Sequence, residues 1–303
     1  MISVENLRHQ YDGRTALASV SFRVQQGEIY GLLGPNGSGK STLFRILSTM
    51  MSPSSGRATV AGFDVAAAPD KVRRHVGVVF QSQSLDRKLT VAENLRGQGH
   101  LFGLSGAPLR ARLEEVLARL GLTDRRNDLV GSLSGGLRRR VEVAKALLHE
   151  PEVLLMDEPS TGLDPGARRE LWRYMEDLRT QKGVTVLLTS HILDEAERCD
   201  RLLLLHQGRA VAEGTPAALK ARIGGDVVVL EVAEPEALRD QLAQRFGVDP
   251  RVADSALRVE IANGHRFITE VVEAFPGLIR SVALHKPTLE DVFLDETGAS
   301  ISQ

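Results

Sequence analysis

Eight consecutive residues near the N-terminus define the architecture of this chain: Gly34-Pro35-Asn36-Gly37-Ser38-Gly39-Lys40-Ser41. Their spacing is G-x-x-x-x-G-K-S. Glycine lacks a Cβ, so the backbone here can adopt conformations that point several successive N–H groups into one concavity. Such a concavity suits phosphate oxygens, and we therefore expect this loop to hold the phosphates of a nucleotide.

The residues on both sides of this loop provide the context that a phosphate-binding loop, or P-loop, requires. Residues 28–33 are mostly apolar and are typical of a buried strand. Behind the loop, apolar residues recur at helical spacing, namely Leu43, Ile46, Leu47 and Met50. The N-terminus of this helix favours bound phosphates. Lys40 can then reach the β- and γ-phosphates, the Ser41 hydroxyl can ligate Mg²⁺, and Thr42 completes the candidate nucleotide contacts.

Composition limits the classes of protein to consider. The chain has 303 residues, which allows one large domain or a domain with a smaller companion. Lys and Arg number 38 against 39 Asp and Glu, so the charge predicts no nucleic-acid partner. The single cysteine cannot form a disulfide within the chain, which fits a reducing cytoplasm. No apolar run approaches the ~18 to 20 residues of a membrane span.

Hydrophobic patterns predict an α/β fold with several parts. Residues 2–8 and 20–25 alternate apolar and polar side chains around a turn, which favours an antiparallel β subdomain. Residues from about 82 to 135 show helical spacing and are predicted to be a helical insert. Residues 153–156 are apolar without alternation, as in a buried parallel strand. Parallel and antiparallel strands together predict a mixed central sheet.

The chain beyond Gly224-Gly225 is predicted to form a second, smaller domain. Its segments follow the order βαββαβ with a last helix, which suits a small α+β unit of the ferredoxin-like kind. The strand pair of this unit is expected within residues 250–262. We therefore predict a first domain at residues 1–223 and an accessory domain at residues 226–303.

Further motifs stand where predicted strands or helices begin or end. In chain order they are Tyr11, Gln81, Leu133-Ser134-Gly135-Gly136, Asp157-Glu158, Gly162-Leu163-Asp164 and His191. Together with the P-loop, this series resembles an ATP-binding cassette, the nucleotide-binding subunit of ABC proteins. The resemblance covers residues 1 to about 220. It implies a P-loop NTPase fold that binds ATP and Mg²⁺ and hydrolyses the ATP.

The resemblance implies a role in phosphoryl transfer for the residues at the end of the central strand. Asp157 and Glu158 lie where open α/β sheets bind ligands. Asp157 is expected to hold Mg²⁺ together with Ser41 and Gln81. Glu158 is the candidate general base that polarises the attacking water, while Lys40 supplies positive potential at the phosphates.

The side chains of His191 and Tyr11 are further candidate nucleotide contacts. His191 follows a strand predicted at residues 184–190 and is expected to hydrogen-bond the γ-phosphate. Tyr11, in the predicted loop between the first two strands, resembles the aromatic residue that stacks on adenine in this family. Gln81 leads directly into the helical insert, where it is placed to report the nucleotide state.

The turn Ser134-Gly135-Gly136, called the signature turn below, is predicted to begin a helix with Ser134 as N-cap. A helix N-terminus of this kind makes a second phosphate site. In the family this turn closes over ATP that is bound to the other subunit. The resemblance therefore implies a head-to-tail dimer of two copies with ATP at the interface. Asp164, the predicted N-cap of the helix that begins at Pro165, is expected to lie at that interface.

The helix behind the signature turn departs from the family pattern at one position. Leu137 replaces the Gln of the usual L-S-G-G-Q, so the contact made by that Gln is in doubt. We expect hydrolysis to survive, because the phosphate-facing Ser and Gly residues are intact. The run Arg138-Arg139-Arg140 is predicted to be a solvated helix face.

The tail of the chain narrows the resemblance. Residues 287–294 read P-T-L-E-D-V-F-L and look like the ending of cassettes that serve ABC-2-type exporters, and residues 84–86 and 89–95 are similar to the same group. This implies an integral-membrane permease as partner and a peripheral position at the cytoplasmic face of the cell membrane. The alternative is a soluble ABC ATPase that acts on the ribosome or DNA. A single cassette with balanced charge disfavours it.

Overall fold

The computed structural model describes residues 1–253 and 256–299. Its backbone packs into two compact units, Met1–Val211 and Ala212–Gln303. The predicted domain bounds, 1–223 and 226–303, stay a prediction, because a division in packing does not test which segments fold independently. Within the described ranges, no helix is both long enough and apolar enough to cross a bilayer.

Two sheets organise the first unit, and the last strand of the second sheet ends three residues beyond Val211. Their strands are β1 (Ile2–Tyr11), β2 (Arg14–Val24), β3 (Ile29–Leu33), β4 (Ser55–Val60), β5 (Phe63–Asp64), β6 (Val76–Val79), β7 (Val153–Asp157), β8 (Thr185–Ser190), β9 (Arg201–His206) and β10 (Arg209–Gly214). The first sheet, β2-β1-β4-β5, is antiparallel as predicted. The second has the order β10-β9-β3-β8-β7-β6, and its pairs from β9 to β6 are parallel. Because β10 follows β9 after a two-residue turn, it runs antiparallel to β9, and this sheet is mixed.

Helices connect these strands and form the insert. They are α1 (Lys40–Leu47), α2 (Pro69–His75), α3 (Val91–Leu101), α4 (Gly106–Arg119), α5 (Gly135–Leu147), α6 (Pro165–Lys182) and α7 (Leu193–Ala196). Helix α3 begins at a capping box in which Thr90 and Glu93 satisfy each other's backbone N–H groups. Helices α3, α4 and α5, which follow β6 and precede β7 along the chain, pack against one another. Helices α3 and α4 form the helical insert that was predicted at about residues 82–135, and α5 follows it.

The central strands are buried on both faces, which explains their mostly apolar sequence. Every residue of β3, β7 and β8 is buried. Successive side chains point to opposite faces of a strand. Accordingly, Leu154 and Met156 belong to the core that the insert and α6 share, while Val153 and Leu155 pack against α1 on the other face. The loops at the ends of these strands are thereby held on a rigid support.

Two local predictions for this unit were wrong. Tyr11 is the last residue of β1 and not part of a loop. Met50 does not lie on the apolar face of α1, because the helix ends at Leu47 and the backbone then turns through Thr49, whose φ is 62°. The Met50 side chain is 62% exposed.

The elements of the second unit are α8 (Pro216–Lys220), β11 (Asp226–Val232), α9 (Pro235–Phe246), β12 (Arg251–Ala253), β13 (Ala256–Ile261), α10 (Gly264–Ala274), β14 (Ile279–His285) and α11 (Leu289–Thr297). From β11 onward they follow the predicted order, while α8 lies before the predicted accessory domain. The sheet order is β12-β13-β11-β14 with antiparallel pairs. Strand β13 thus lies between β11 and β12, the split βαβ arrangement of a ferredoxin-like unit. Residues 254 and 255 of the predicted strand pair, and 300–303 of the predicted domain, lie outside the described residues.

Candidate active site

The P-loop connects β3 to α1, and close backbone contacts require two of its three glycines. A Cβ at Gly34 would lie 2.3 Å from the carbonyl oxygen of Leu205. At Gly39, which has a φ of 107°, a Cβ would lie 2.7 Å from the carbonyl oxygen of Ala16. No larger residue fits at these positions without moving the main chain. The loop therefore packs closely against the segments that contain Ala16 and Leu205.

Lys40 is the buried cation of this loop. Its Nζ donates hydrogen bonds to the carbonyl oxygens of Gly34, at 2.6 Å, and Pro35, at 3.0 Å. Burial lowers the pKa of Lys40, while the carboxylates of Glu158 and Asp157 act in the opposite direction. The ammonium is thus close enough to both carboxylates to feel their charge.

A cavity beside the P-loop brings together many of the candidate residues. Its lining consists of Tyr11, Arg14, Thr15, Ala16, Asn36, Gly37, Gly39, Lys40, Ser41, Thr42, Glu158 and Gln207. The hydroxyl of Tyr11 lies 3.5 Å from Thr42 Oγ1 and 3.3 Å from Met51 Sδ. The candidate adenine platform and the candidate general base therefore border the same space as the phosphate loop. The roles assigned to these residues remain predictions.

The carboxylates at the end of β7 are held by the neighbouring strand. Thr189 Oγ1 on β8 donates to Asp157 Oδ1 at 2.6 Å and accepts from the backbone N–H of Glu158 at 2.9 Å. Burial raises the pKa of Asp157. Sequence reasoning missed Thr189, although its position two residues before His191 at a predicted strand end was a usable signal.

Glu158 is the meeting point of three segments. Its Oε2 accepts from Gln81 Nε2 at 3.0 Å and from Thr161 Oγ1 at 3.3 Å. Its Oε1 lies 3.2 Å from His191 Nδ1. The backbone of Glu158 has a φ of 43°, an uncommon conformation for a residue with a Cβ. Gln81, Asp157, Glu158, Thr189 and His191 are called the Glu158 cluster below.

A second buried carboxylate joins the loops on either side of this cluster. Glu195 is 2% exposed and accepts hydrogen bonds from the hydroxyls of Ser160 and Ser190, the latter at 2.7 Å. Burial raises the pKa of Glu195. Ser160 follows Glu158 by two residues and Ser190 precedes His191, so Glu195 ties these two segments together. The sequence offered no signal for this role.

The signature turn and Asp164 lie apart from the P-loop cavity and do not contribute to its lining. Ser134 is exposed and caps α5, since its Oγ accepts from the N–H of Leu137 at 3.3 Å. Asp164 caps α6 and accepts from the N–H groups of Ala167 and Gly166, which lowers its pKa. Leu137 is half-buried and packs against the main core. Ser134 and Asp164 therefore both serve as N-caps, as predicted from the sequence.

The prediction of a solvated face for Arg138-Arg139-Arg140 was wrong. Arg139 is 5% exposed and donates hydrogen bonds to three main-chain carbonyl groups. Arg138 donates to the carbonyl oxygen of Leu133, and Arg140 pairs with Glu170. Three consecutive helical residues point in widely different directions, and α5 is covered by the insert, by α6 and by the loop after β7. At least one of the three therefore has to face the interior.

The residues around the P-loop include oxygen donors that suit Mg²⁺. Ser41 is an exposed hydroxyl in the first turn of α1, and Asp157 provides a carboxylate with one oxygen held by Thr189. Mg²⁺ commonly takes one or two such protein oxygens and completes its shell with water and phosphate. In residues 1–253 and 256–299, no group of three or more His, Cys, Asp or Glu side chains could hold a metal ion alone. The donor set thus fits an ion that arrives with a nucleotide.

Comparison with known proteins finds relatives that are named as ATP-binding proteins. The family model described as ABC transporter matches residues 17–161. The chain is similar to the daunorubicin resistance ATP-binding protein DrrA2 of Streptomyces coeruleorubidus, with 39% identity over 310 residues, 98% of this chain and 95% of the relative. It is also similar to the Nod factor export ATP-binding protein I of Paraburkholderia xenovorans, with 41% identity over 306 residues, 98% and 97% of the two chains.

Solved structures give the same result. An ATP-binding subunit of an ABC transporter aligns with a TM-score of 0.66 and 34% identity over 73% of this chain and 92% of that chain. A dimeric cassette in a post-hydrolysis state, bound to ADP and phosphate, aligns with a TM-score of 0.65 and 28% identity over 71% and 98%. Similarity of this extent, together with a P-loop that faces the carboxylates of β7, means that this chain belongs to the ATP-binding subunits of ABC transporters and is an ATPase.

Proposed function

We propose that this chain is the motor subunit of an exporter, in which Glu158 acts as the general base for ATP hydrolysis. One observation carries the assignment: the Glu158 carboxylate borders the P-loop cavity while Gln81, Thr161 and His191 hold it in place. A base must be oriented and within reach of the water that it polarises. The contacts of Glu158 support the first requirement, and its position at the cavity supports the second.

The P-loop would bind the phosphates of ATP, with Tyr11 stacked on the adenine. Lys40 already donates to two loop carbonyls, so phosphate oxygens would replace acceptors that the ammonium now uses. The backbone N–H groups of the loop and the first turn of α1 add positive potential at the same place. Lys40 and the loop thereby stabilise negative charge on the γ-phosphate as it is transferred.

Hydrolysis would depend on the Glu158 cluster. Glu158 accepts a proton from the attacking water, and His191 hydrogen-bonds the γ-phosphate from the end of β8. Ser41, Asp157 and Gln81 would hold Mg²⁺ through their side-chain oxygens, and the bound ion would neutralise charge on the phosphates. Thr189 keeps Asp157 and the backbone of Glu158 in register with each other.

A second copy of this chain would complete the site. The signature turn presents the exposed Ser134 at the N-terminus of α5, away from the chain's own P-loop cavity. The N–H groups of such a helix end suit a phosphate. The dimeric state of a related cassette supports a head-to-tail pair in which Ser134, Gly135, Gly136 and Asp164 of one copy contact ATP on the other.

The names of the relatives support export as the process that hydrolysis drives, since one concerns daunorubicin resistance and others Nod factor export. An integral-membrane permease would then be the partner, with this chain at the cytoplasmic face of the membrane. Leu89 and Leu129, which are 39% and 51% exposed, lie next to each other on the insert at the isolated bridge between Thr90 and Leu129. They support residues 82–130 as the surface that contacts the permease.

Glu158→Gln tests the catalytic assignment. We expect the variant to lose at least ~100-fold in ATPase rate, because general base catalysis typically contributes that much. ATP binding, measured by equilibrium titration, should persist. Glu150→Gln, which changes an exposed carboxylate paired with Arg112, is the matched control and should keep the wild-type rate. A Glu158→Gln variant with normal turnover would refute the role of Glu158.

Co-purification tests the transport assignment. We expect the tagged protein, purified from membranes in mild detergent, to carry a multi-span protein in stoichiometric amount. The Leu89→Asp and Leu129→Asp variants should lose that partner while their basal ATPase rate remains. Recovery with ribosomes or DNA, and with no membrane protein, would retain the ATPase but reject its role in export.

A further inference from the structure

Arg139 contacts the two segments that carry Gln81 and Glu158. Its guanidinium donates to the carbonyl oxygen of Phe80 at 2.7 Å, of Pro159 at 2.6 Å and of Glu158 itself at 3.1 Å. Phe80 immediately precedes Gln81. One side chain of α5 therefore bonds the main chain on both sides of the contact between Gln81 and Glu158.

The Arg139 side chain is buried, and its acceptors are neutral carbonyl groups. Burial lowers the pKa of Arg139, which the carboxylates of Glu142 and Asp157 oppose. Burying a guanidinium is costly unless its donors are satisfied in good geometry. Only arginine offers donors in a rigid planar fork, so three carbonyls from two segments match this residue and not lysine. The contacts are too specific to be accidental packing.

The same face of α5 holds the Gln81 segment further along. Glu142, three residues after Arg139, accepts from the N–H of Ser84 at 2.6 Å and from its hydroxyl at 3.0 Å. Lys145 continues the row and donates to the carbonyl oxygen of Ser84 at 2.9 Å. Residues spaced by three lie on one side of a helix. This side of α5 is thus bonded to residues 80–84 along its length.

Helix α5 also begins at the signature turn, which links these contacts to the second ATP site. Ser134 caps the helix, and Arg139 follows within the second turn. A helix is a rigid element, so a shift of its first turn moves the Arg139 side chain with it. Such a shift changes the position of Phe80 and Gln81 relative to Glu158, two groups that now lie 3.0 Å apart.

We propose that Arg139 is a positioning residue for hydrolysis, which sets the contact between Gln81 and Glu158 according to the position of the signature turn. The proposal rests on the assignment of Glu158 as general base. Arg139 does not touch the nucleotide, so it acts on the chemical step and not on ATP binding. Its neighbour Arg140, which pairs with Glu170 on α6, provides the comparison.

Steady-state kinetics of Arg139→Gln, Arg139→Lys and Arg140→Gln test this inference. Misplacement of catalytic groups by about 1 Å costs about 100-fold, so we expect kcat to fall by about 10- to 100-fold in Arg139→Gln. The KM for ATP should stay within about threefold, because uniform binding is untouched. Arg139→Lys, which keeps the charge without the fork, should retain more activity than Arg139→Gln. Arg140→Gln should resemble wild type.

A double variant shows whether Arg139 acts through the Gln81 contact. If it does, adding Gln81→Ala to Arg139→Gln should lower kcat little beyond the larger single effect. Thermal unfolding with and without ATP confirms that each variant is folded. If Arg139→Gln does not fold, the same comparison is made with Arg139→Lys.

Three outcomes would overturn the inference. The first is an unchanged kcat in folded Arg139 variants. The second is a rise in the KM for ATP as large as the fall in kcat. The third is a kcat of the double variant that equals the product of the two single effects of Arg139→Gln and Gln81→Ala. Failure of the Glu158 assignment is visible separately, as normal turnover of Glu158→Gln. A loss of activity in Glu158→Gln with full activity in Arg139→Gln would therefore reject Arg139 alone.

Discussion

The Glu158 cluster and the signature turn are both built at the ends of secondary-structure elements, yet they differ in what a single chain provides. Glu158 is buried and held by side chains from three segments. Ser134 is exposed, and its hydroxyl accepts from the N–H of Leu137 in its own helix. The first site is organised by folding alone. The second is an exposed surface, and under the proposed function it gains a catalytic role only when another copy covers it.

The largest test of this comparison mixes two inactive variants. Ser134→Arg should block the interface and reduce turnover at least ~100-fold, as Glu158→Gln does, while each variant still binds ATP. In a heterodimer of the two variants, one site combines the intact Glu158 of the Ser134→Arg copy with the intact Ser134 of the Glu158→Gln copy. The other site carries both substitutions and is inactive. An equal mixture should therefore recover about one quarter of the wild-type rate if the sites act independently. ATPase rates across mixing ratios measure this.

Failure of the mixture would contradict the idea that the two regions belong to different copies. Ser134→Ala provides the control for the cap itself. It should cost about 1 kcal/mol of folding free energy, the usual value for an N-cap. Turnover near the wild-type rate in both Ser134→Arg and Ser134→Ala would show that the turn has no role beyond capping α5.

The next test separates positioning from stability inside the Glu158 cluster. Thr189→Val removes the hydroxyl that joins Asp157 to the backbone of Glu158 and leaves a buried carboxylate oxygen without its donor. We expect a loss of about 1 to 3 kcal/mol in unfolding free energy, measured with urea, and a fall in kcat of about tenfold.

Thr185→Val is the matched control on the same strand. Thr185 is equally buried and accepts from the N–H of Gly27 at 3.0 Å, at the opposite end of β8. Its loss should lower stability by a comparable amount while kcat stays near the wild-type value. Equal effects of both variants on kcat would mean that Thr189 acts through stability alone.

The smallest expected effect is a contrast in pH dependence between the two regions. Burial raises the pKa of Asp157, so its contribution to stability is present below its unfolded pKa and is lost as the pH rises through the folded pKa. Asn still accepts from Thr189 but carries no charge. Without Mg²⁺ and ATP, the unfolding free energy of Asp157→Asn near neutral pH should therefore exceed that of wild type by about 1 kcal/mol. The variant should then unfold at a higher temperature than wild type, and this difference should disappear in acid.

Asp164 at the exposed N-cap should behave in the opposite way. Hydrogen bonds from the N–H groups of Ala167 and Gly166 lower its pKa, so its contribution is present above the unfolded pKa and is lost as the pH falls through the folded pKa. Asp164→Asn should thus unfold at a lower temperature than wild type near neutral pH. Thermal unfolding across pH measures both variants, and the same sign for both would contradict the contrast.

The sequence predicted what depends on local pattern. The P-loop, the apolar strand before Asp157 and the N-caps Ser134 and Asp164 all follow from residues that are neighbours in the chain. Such features depend on backbone conformation within one or two turns. The order of elements in the second unit was predictable for the same reason.

The sequence did not predict contacts between distant segments. Arg139 meets Phe80 across 59 positions, Thr189 meets Asp157 across 32, and Glu195 meets Ser160 across 35. Nothing in the spacing of a run of three arginines tells which one faces the interior, because that depends on what packs around α5. Met50 was wrongly assigned to the apolar face of α1. Its position fits the helical spacing of Leu43 and Leu47, but the helix ends at Leu47 and the backbone turns at Thr49.

The contacts of Lys40 with its own loop bear on the release of products. A buried ammonium that depended on a phosphate for solvation would resist the departure of ADP, since leaving would strand a cation in the protein. Here the carbonyl oxygens of Gly34 and Pro35 serve as resident acceptors. The Lys40 ammonium therefore keeps hydrogen-bond acceptors while one nucleotide leaves and the next arrives.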